Sequence, residues 1–213
     1  MSEVHDPAIL AKARTLLDAC RSPQEMKEAV LSAVARNEEW RGRHTHQVNR
    51  VAALAVSAAE MLEFGKPYMT QIVRNARALG SGLVRRGIPV LGANKGYTTT
   101  QQIVADVRKF GGGLEAAQRL ARANIITNKN LIPSDRPGDW DRPNGLRIGT
   151  IEVTRLGMHE AEMEVIADFI ARILVERSAP EEVLNDVIDF RSPYQTLYYC
   201  FENGTPRYPA SEH

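Results

Sequence analysis

An arginine set between two apolar residues in a short run of strand-forming character is the most chemically pointed feature of this sequence. Arg147 follows Leu146 and precedes Ile148, so in an extended strand its side chain alternates away from theirs. A guanidinium so placed binds a carboxylate through two parallel charge-assisted hydrogen bonds. The competing explanation is a surface arginine, or one spent on an internal ion pair. Lys129 and Asn130 lie in a polar stretch before Pro133 that reads as a turn, where Asn is favoured for its local hydrogen bonding alone. Gly42 either lets its backbone N–H approach an anion, since no Cβ stands in the way, or marks a helix boundary. His44 and His46 are two residues apart, and a metal would require a third ligand and an extended backbone that nothing here indicates. They read as polar groups opening a helix. Gly111-Gly112-Gly113 lacks the Lys-Ser/Thr of a P-loop and reads as a flexible turn.

Positioning these residues falls to two kinds of element. Helical signals fill the first part of the chain. Asp6-Pro7 forms a start signal before a stripe of Ile9, Leu10, Ala13, Leu16, Leu17 and Cys20. Ser22-Pro23-Gln24-Glu25 is a capping-box start for Met26, Val30, Leu31 and Val34. A third helix is predicted from about His46 to Leu62, with Val48, Val51, Leu54, Ala55, Ala58 and Leu62 as its stripe. Gly65-Lys66-Pro67 is expected to break it, and a fourth helix carries Ile72, Val73, Ala76, Leu79 and Leu83 up to Gly87 as the C′ residue. The period then changes. Ile88 to Leu91, Gln102 to Val107, Ile125 to Thr127 and Leu146 to Val153 read as strands. A helix over Leu114 to Ala123 separates two of them, with Leu114, Ala117, Leu120 and Ala121 aligned. Another from about His159 to Glu176 presents Val165, Ile166, Phe169, Ile170 and Ile173. The tail from Arg191 is aromatic with weak periodicity. Helices followed by a small antiparallel or mixed sheet with crossing helices give an α+β architecture.

Composition narrows the function classes. A chain of 213 residues, 43% hydrophobic, can bury one good core or one domain with an appended arm. A formal net charge of +1 gives no electrostatic reason to expect nucleic acid or an anionic membrane as partner. Cys20 and Cys200 lie far apart and outside any metal-type cluster, a pattern that fits the reducing cytoplasm. No signal-peptide pattern opens the chain, and no apolar run approaches the roughly 20 residues that span a bilayer. These features lead us to expect a soluble cytoplasmic protein.

Three motifs in register carry a family resemblance. They are Asn128-Lys129-Asn130-Leu131-Ile132-Pro133, then Asn144-Gly145-Leu146-Arg147-Ile148-Gly149-Thr150, then Thr154-Arg155-Leu156-Gly157 before a helix rich in Glu and Met. Together they resemble the C-terminal small domain of serine hydroxymethyltransferases and of their relatives the threonine transaldolases. These are fold-type I pyridoxal-phosphate enzymes that make or break a bond at the α-carbon of glycine. The order of elements matches from about Gly42 to Ile173. Asn37-Glu38-Glu39-Trp40-Arg41-Gly42 resembles the start of the family's longer chains, and Arg43-His44-Thr45-His46 resembles a segment that lies beyond their cofactor domain. We find no Ser/Thr-rich run followed by His-Lys, the motif in which that family holds its cofactor. The chain reads as residues 1–42 forming a helical arm, 43–178 the small domain and 179–213 a tail, with the cofactor domain missing.

The resemblance implies a division of labour. Arg147 would hold the amino-acid carboxylate. Asn130, with Lys129, would border the folate or second-substrate pocket. Gly42, His44 and His46 would lie near the cofactor phosphate of a neighbouring subunit. No residue of this chain would be catalytic. A partner chain would supply the cofactor domain and most of the pyridoxal-phosphate site, and tetrahydrofolate use stays open. The implied function is the small-domain subunit of a split hydroxymethyltransferase or transaldolase acting on glycine, serine or threonine to give a β-hydroxy-α-amino acid. The alternative is a non-catalytic subunit that stabilises or regulates a full-length relative. Two departures stand out. Thr150-Ile151-Glu152 replaces the family's usual Thr-Pro-Ala, and Thr99-Thr100-Gln101 replaces its Asp-Asn-His. Both put folate-dependent serine chemistry in doubt and bring the transaldolase branch closer.

Overall fold

A computed structural model describes residues 22–36 and 48–201. Gly42, His44, His46 and the first helical stripe lie outside the described residues. The described residues divide into two compact units, one of residues up to Lys66 with 199–201, the other of residues 67–198.

In the first unit, helix α1 (Pro23–Arg36) begins where the capping signal places it. The Glu25 N–H donates to Ser22 Oγ at 3.2 Å, satisfying one of the donors a helix start leaves open. Phe64 meets Phe201 edge-on at 5.6 Å, and the Lys27 ammonium lies 5.5 Å from the centre of the Phe201 ring. Helix α2 runs without interruption over Val48–Arg85, with Pro67 inside it. The break expected at Gly65-Lys66-Pro67 does not occur. Proline at a helix interior forfeits one hydrogen bond and costs about 3 kcal/mol. The buried stripe that follows it, Ile72, Ala76, Leu79 and Leu83, anchors the next turns strongly enough to keep the helix continuous. Upstream, Leu54 and Leu62 of the predicted stripe are 70% and 68% exposed, while Ala55 is half-buried.

The second unit ends α2 with Gly87 at φ 83°, the left-handed position that glycine adopts without a Cβ penalty. Ile88 N–H donates to Leu83 O at 3.0 Å and Gly87 N–H to Val84 O at 3.0 Å, closing a Schellman cap. Strand β1 (Gln102–Asp106), helix α3 (Gly112–Arg122), strands β2 (Asn128–Asn130) and β3 (Gly145–Gly149), and helices α4 (Ile151–Arg155), α5 (Glu160–Leu174) and α6 (Pro180–Arg191) follow. The sheet is antiparallel in the order β1-β3-β2. Its apolar side, with Ile103, Ala105, Leu146 and Ile148, joins one core with Leu79 and Leu83 of α2, Ala116 and Leu120 of α3, Met163, Ala167, Ile170 and Ile173 of α5, and Val183 of α6. The architecture is α+β, as the change of period predicts.

Several local expectations are corrected. Ile88 to Leu91 is no strand: only an isolated bridge joins Val90 to Ala105, because Pro89 has no N–H to donate and Gly92 at φ 71° turns the chain away. The strand expected at Ile125 to Thr127 lies three residues later, on the polar Asn-Lys-Asn, where pairing with β3 overrides turn propensity. The strand expected from Leu146 to Val153 stops at Gly149, and Thr150 to Arg155 turns into α4. Gly113, Ala116 and Leu120 line the buried side of α3, while Leu114 is 39% exposed. On α5 the inward stripe begins at Met163, and Val165 faces outward.

The three glycines at the start of α3 are a packing device. Gly111 and Gly112 adopt φ 100° and 82°, and Gly113 is buried against the backbone of Gly145, whose carbonyl a Cβ would strike. Gly145 is itself pressed on Asn130 O, 2.5 Å from where its own Cβ would stand. Two side-chain-free positions in contact let α3 close on β3 and β3 close on β2.

Candidate functional site

The polar side of the sheet gathers the candidate residues. Register sets Arg147 of β3 directly between Val104 of β1 and Asn128 of β2. Directly opposed residues of antiparallel strands share a face, and alternate residues along each strand return to it. Gln102, Val104 and Asp106 therefore stand on one flank of Arg147, with Asn128 and Asn130 on the other. All are half-buried except Asn128, which is exposed.

Arg147 occupies the centre of this face without an internal partner: among the described residues no hydrogen bond or ion pair involves its guanidinium. The acid on its face, Asp106, is held by Arg108, whose Nε lies 3.0 Å and whose backbone N–H 3.2 Å from Asp106 Oδ1. The internal ion pair that competes with a binding role is thereby absent among the described residues. A half-buried, uncompensated guanidinium suits an external carboxylate, because partial shelter strengthens the pair while access is retained.

The strand ends that carry this face are fixed by buried hydrogen bonds that sequence reading missed. Thr150 Oγ1 donates to Ile72 O at 3.0 Å, and Thr154 Oγ1 to Thr150 O at 2.6 Å. Asn75, fully buried on α2, donates to Thr154 Oγ1 at 2.8 Å and Met158 O at 2.9 Å, and accepts from Gln71 Nε2 at 2.9 Å. Gln71 also donates to Glu160 Oε2 at 2.9 Å. The signal was available as two amides four residues apart inside an apolar stripe, the spacing that stacks them on one helix face. Arg155 lies 5.8 Å from the centre of the Tyr68 ring, whose hydroxyl donates to Ile151 O at 3.0 Å.

Lys129 separates from Arg147. Its register partner is Leu146, so it alternates to the other side of β2, and its Nζ donates to Trp140 O and Asp141 O at 3.1 and 3.3 Å. Asn130 shares the Arg147 face but turns its Nδ2 onto Leu131 O at 2.6 Å. The loop between β2 and β3 is tied at its base by Asp135, which accepts from Ile132 N and Asn144 N at 3.0 and 2.9 Å and from Asn144 Nδ2 at 2.6 Å. Burial opposes the charge on Asp135, but the donations from Asn144 and Ile132, with Arg108 nearby, outweigh it and hold its carboxyl below the usual carboxylate value. Gly42, His44 and His46 cannot be placed with the others, since they lie outside the described residues.

Comparison with known proteins places the chain in context. The family model for serine hydroxymethyltransferase matches residues 12–170. A serine hydroxymethyltransferase of Methanocella arvoryzae is 46% identical over 179 residues, covering 84% of this chain and 40% of the relative. One of Pyrococcus furiosus is 45% identical over 163 residues, covering 76% and 38%. The crystal structure of L-threonine transaldolase from Pseudomonas fluorescens in its internal aldimine state aligns with TM-score 0.63 and 29% identity, over 73% of this chain and 35% of that one. The chain thus spans about 40% of the length of the first of these relatives.

Pyridoxal phosphate, on which this family depends, requires a sheltered lysine amine and an anion cradle. Among the described residues Lys66, Lys95, Lys109 and Lys129 are exposed, and Lys27 lies over the Phe201 ring. These lysines do not fit the group. What the described residues offer is Arg147, a half-buried guanidinium without an internal partner among them. No helix among them is long and apolar enough to cross a membrane.

Proposed function

This chain belongs to the serine hydroxymethyltransferase family, and we propose that it serves as the small-domain subunit of a two-chain enzyme of hydroxymethyltransferase or transaldolase type. The observation that carries the reading is Arg147, a half-buried guanidinium without an internal partner among the described residues, at the centre of a polar sheet face. Its part is to bind the carboxylate of glycine, serine or threonine and fix the orientation of the bond at the α-carbon. Asn130, on the same face, borders the space for the second reactant. The pyridoxal phosphate, and with it the stabilisation of negative charge at the α-carbon, belongs to a partner chain that supplies the lysine. The product class is a β-hydroxy-α-amino acid, formed in the cytoplasm, and tetrahydrofolate is one candidate for the one-carbon carrier.

The exposed Leu54 and Leu62 support a partner as well, since exposed apolar patches mark protein interfaces. The test is co-expression of the tagged chain with the product of the adjacent reading frame. Co-purification of a yellow complex that acts on glycine or serine supports the proposal. A chain that stays monomeric and captures no such product removes it.

A further inference from the structure

Asn128 received no role from sequence, yet it is the residue that register sets directly across from Arg147. Cβ atoms of directly opposed residues stand about 4.5–5.5 Å apart, so the carboxamide and the guanidinium reach the same space. Among the described residues neither side chain has a hydrogen-bond partner. Asn130, by contrast, spends its amide on Leu131 O, and Asp106 is held by Arg108. Arg147 and Asn128, both with unspent donors, are therefore direct neighbours on this face, and the neutral amide leaves the positive charge of Arg147 uncompensated.

We propose that Asn128 and Arg147 form a clamp across β2 and β3 for the amino-acid carboxylate. The guanidinium takes both oxygens in parallel, and Asn128 Nδ2–H donates a further hydrogen bond to one of them. A carboxylate oxygen accepts more than one hydrogen bond, so the third donor fits beside the fork. Asparagine suits the position because it adds a donor without adding charge. An acid there would occupy Arg147 from within and shut the substrate out. This proposal rests on the reading that Arg147 binds the substrate carboxylate.

The test uses Asn128→Asp and Asn128→Ala, with Arg147→Lys as reference. In the full chain alone, a carbon-detected NMR titration follows the introduced carboxyl. Facing Arg147, it should titrate below the ordinary aspartate value of about 3.9, with thermal stability retained. In the complex with its partner, Asn128→Asp should raise the amino-acid KM by about tenfold or more. Asn128→Ala should raise it roughly 10- to 100-fold, the loss of a single hydrogen bond to a charged group. Both should leave kcat and the KM of the aldehyde within about twofold. An introduced carboxyl that titrates normally overturns the clamp, as does unchanged amino-acid KM in both variants while Arg147→Lys impairs binding. If Arg147→Lys is silent as well, the reading of Arg147 as the carboxylate site fails, and the clamp with it.

Discussion

Replacing Arg147 by lysine isolates the geometry of the guanidinium from its charge. Lysine keeps the positive charge and most of the aliphatic stem, but loses the planar fork that makes two parallel bonds to a carboxylate. Because Arg147 is half-buried and makes no internal ion pair among the described residues, no compensating contact softens the loss. A hydrogen bond to a charged group contributes on the order of 1.5–3 kcal/mol. Forfeiting one should cost roughly 10- to 100-fold in kcat/KM for the amino acid, at about 1.4 kcal/mol per factor of ten. The stem still lies between Val104 and Asn128, so unfolding stability should change by less than about 0.5 kcal/mol. Steady-state kinetics of the reconstituted complex, varying amino acid and aldehyde separately, supply the readout. Unchanged kinetics for the amino acid with the complex intact would refute the assignment.

Other perturbations probe how the site is held. Gly113→Ala drives a Cβ into the carbonyls of Gly145 and Pro143, and denaturant unfolding should show a loss of about 1–3 kcal/mol. Asn75→Ala leaves Gln71, Thr154 and Met158 O short of partners in the interior. Its cost should be about 2–4 kcal/mol, with Arg147-strand amides exchanging faster in hydrogen exchange. Glu164 is held below the usual carboxylate value, chiefly by its hydrogen bond from Arg85 and further by Arg86 at 3.0 Å. A lowered folded-state value stabilises above the unfolded value and fades as pH falls through the folded one. The stability gap between wild type and Glu164→Gln should therefore be widest near neutrality and close below about pH 4. As the pair is largely exposed, its magnitude should be small and salt-sensitive.

Where local pattern and tertiary packing agreed, sequence reading served well. The cap at Ser22, the Gly87 terminus, β1 and α5 all carried signals a few residues long, which chain-local physics suffices to interpret. Arg147 on a strand was equally readable, because alternation around Leu146 and Ile148 fixes its side. Two of the failures trace to a partner distant in sequence. Pro67 signals a break, but burial of Ile72, Ala76 and Leu79 keeps α2 whole. Asn128-Lys129-Asn130 has turn composition, yet the close approach of Gly145 makes it a strand. Lys129 followed Asn130 in sequence and was grouped with it, though a period of two sends neighbours to opposite faces. Asn128, two residues before Asn130 on the same face, was the neighbour that the register brought to Arg147.

The proposed division of the active site between two chains is tested most directly by trapping the cofactor and locating it. The complex is reduced with borohydride, digested, and searched by mass spectrometry for a pyridoxyl-lysine adduct. The adduct is expected on a lysine of the partner chain and on none here, since the described lysines are exposed or engaged elsewhere. An adduct on Lys66, Lys95, Lys109 or Lys129 of this chain, formed without any partner present, would contradict the proposal.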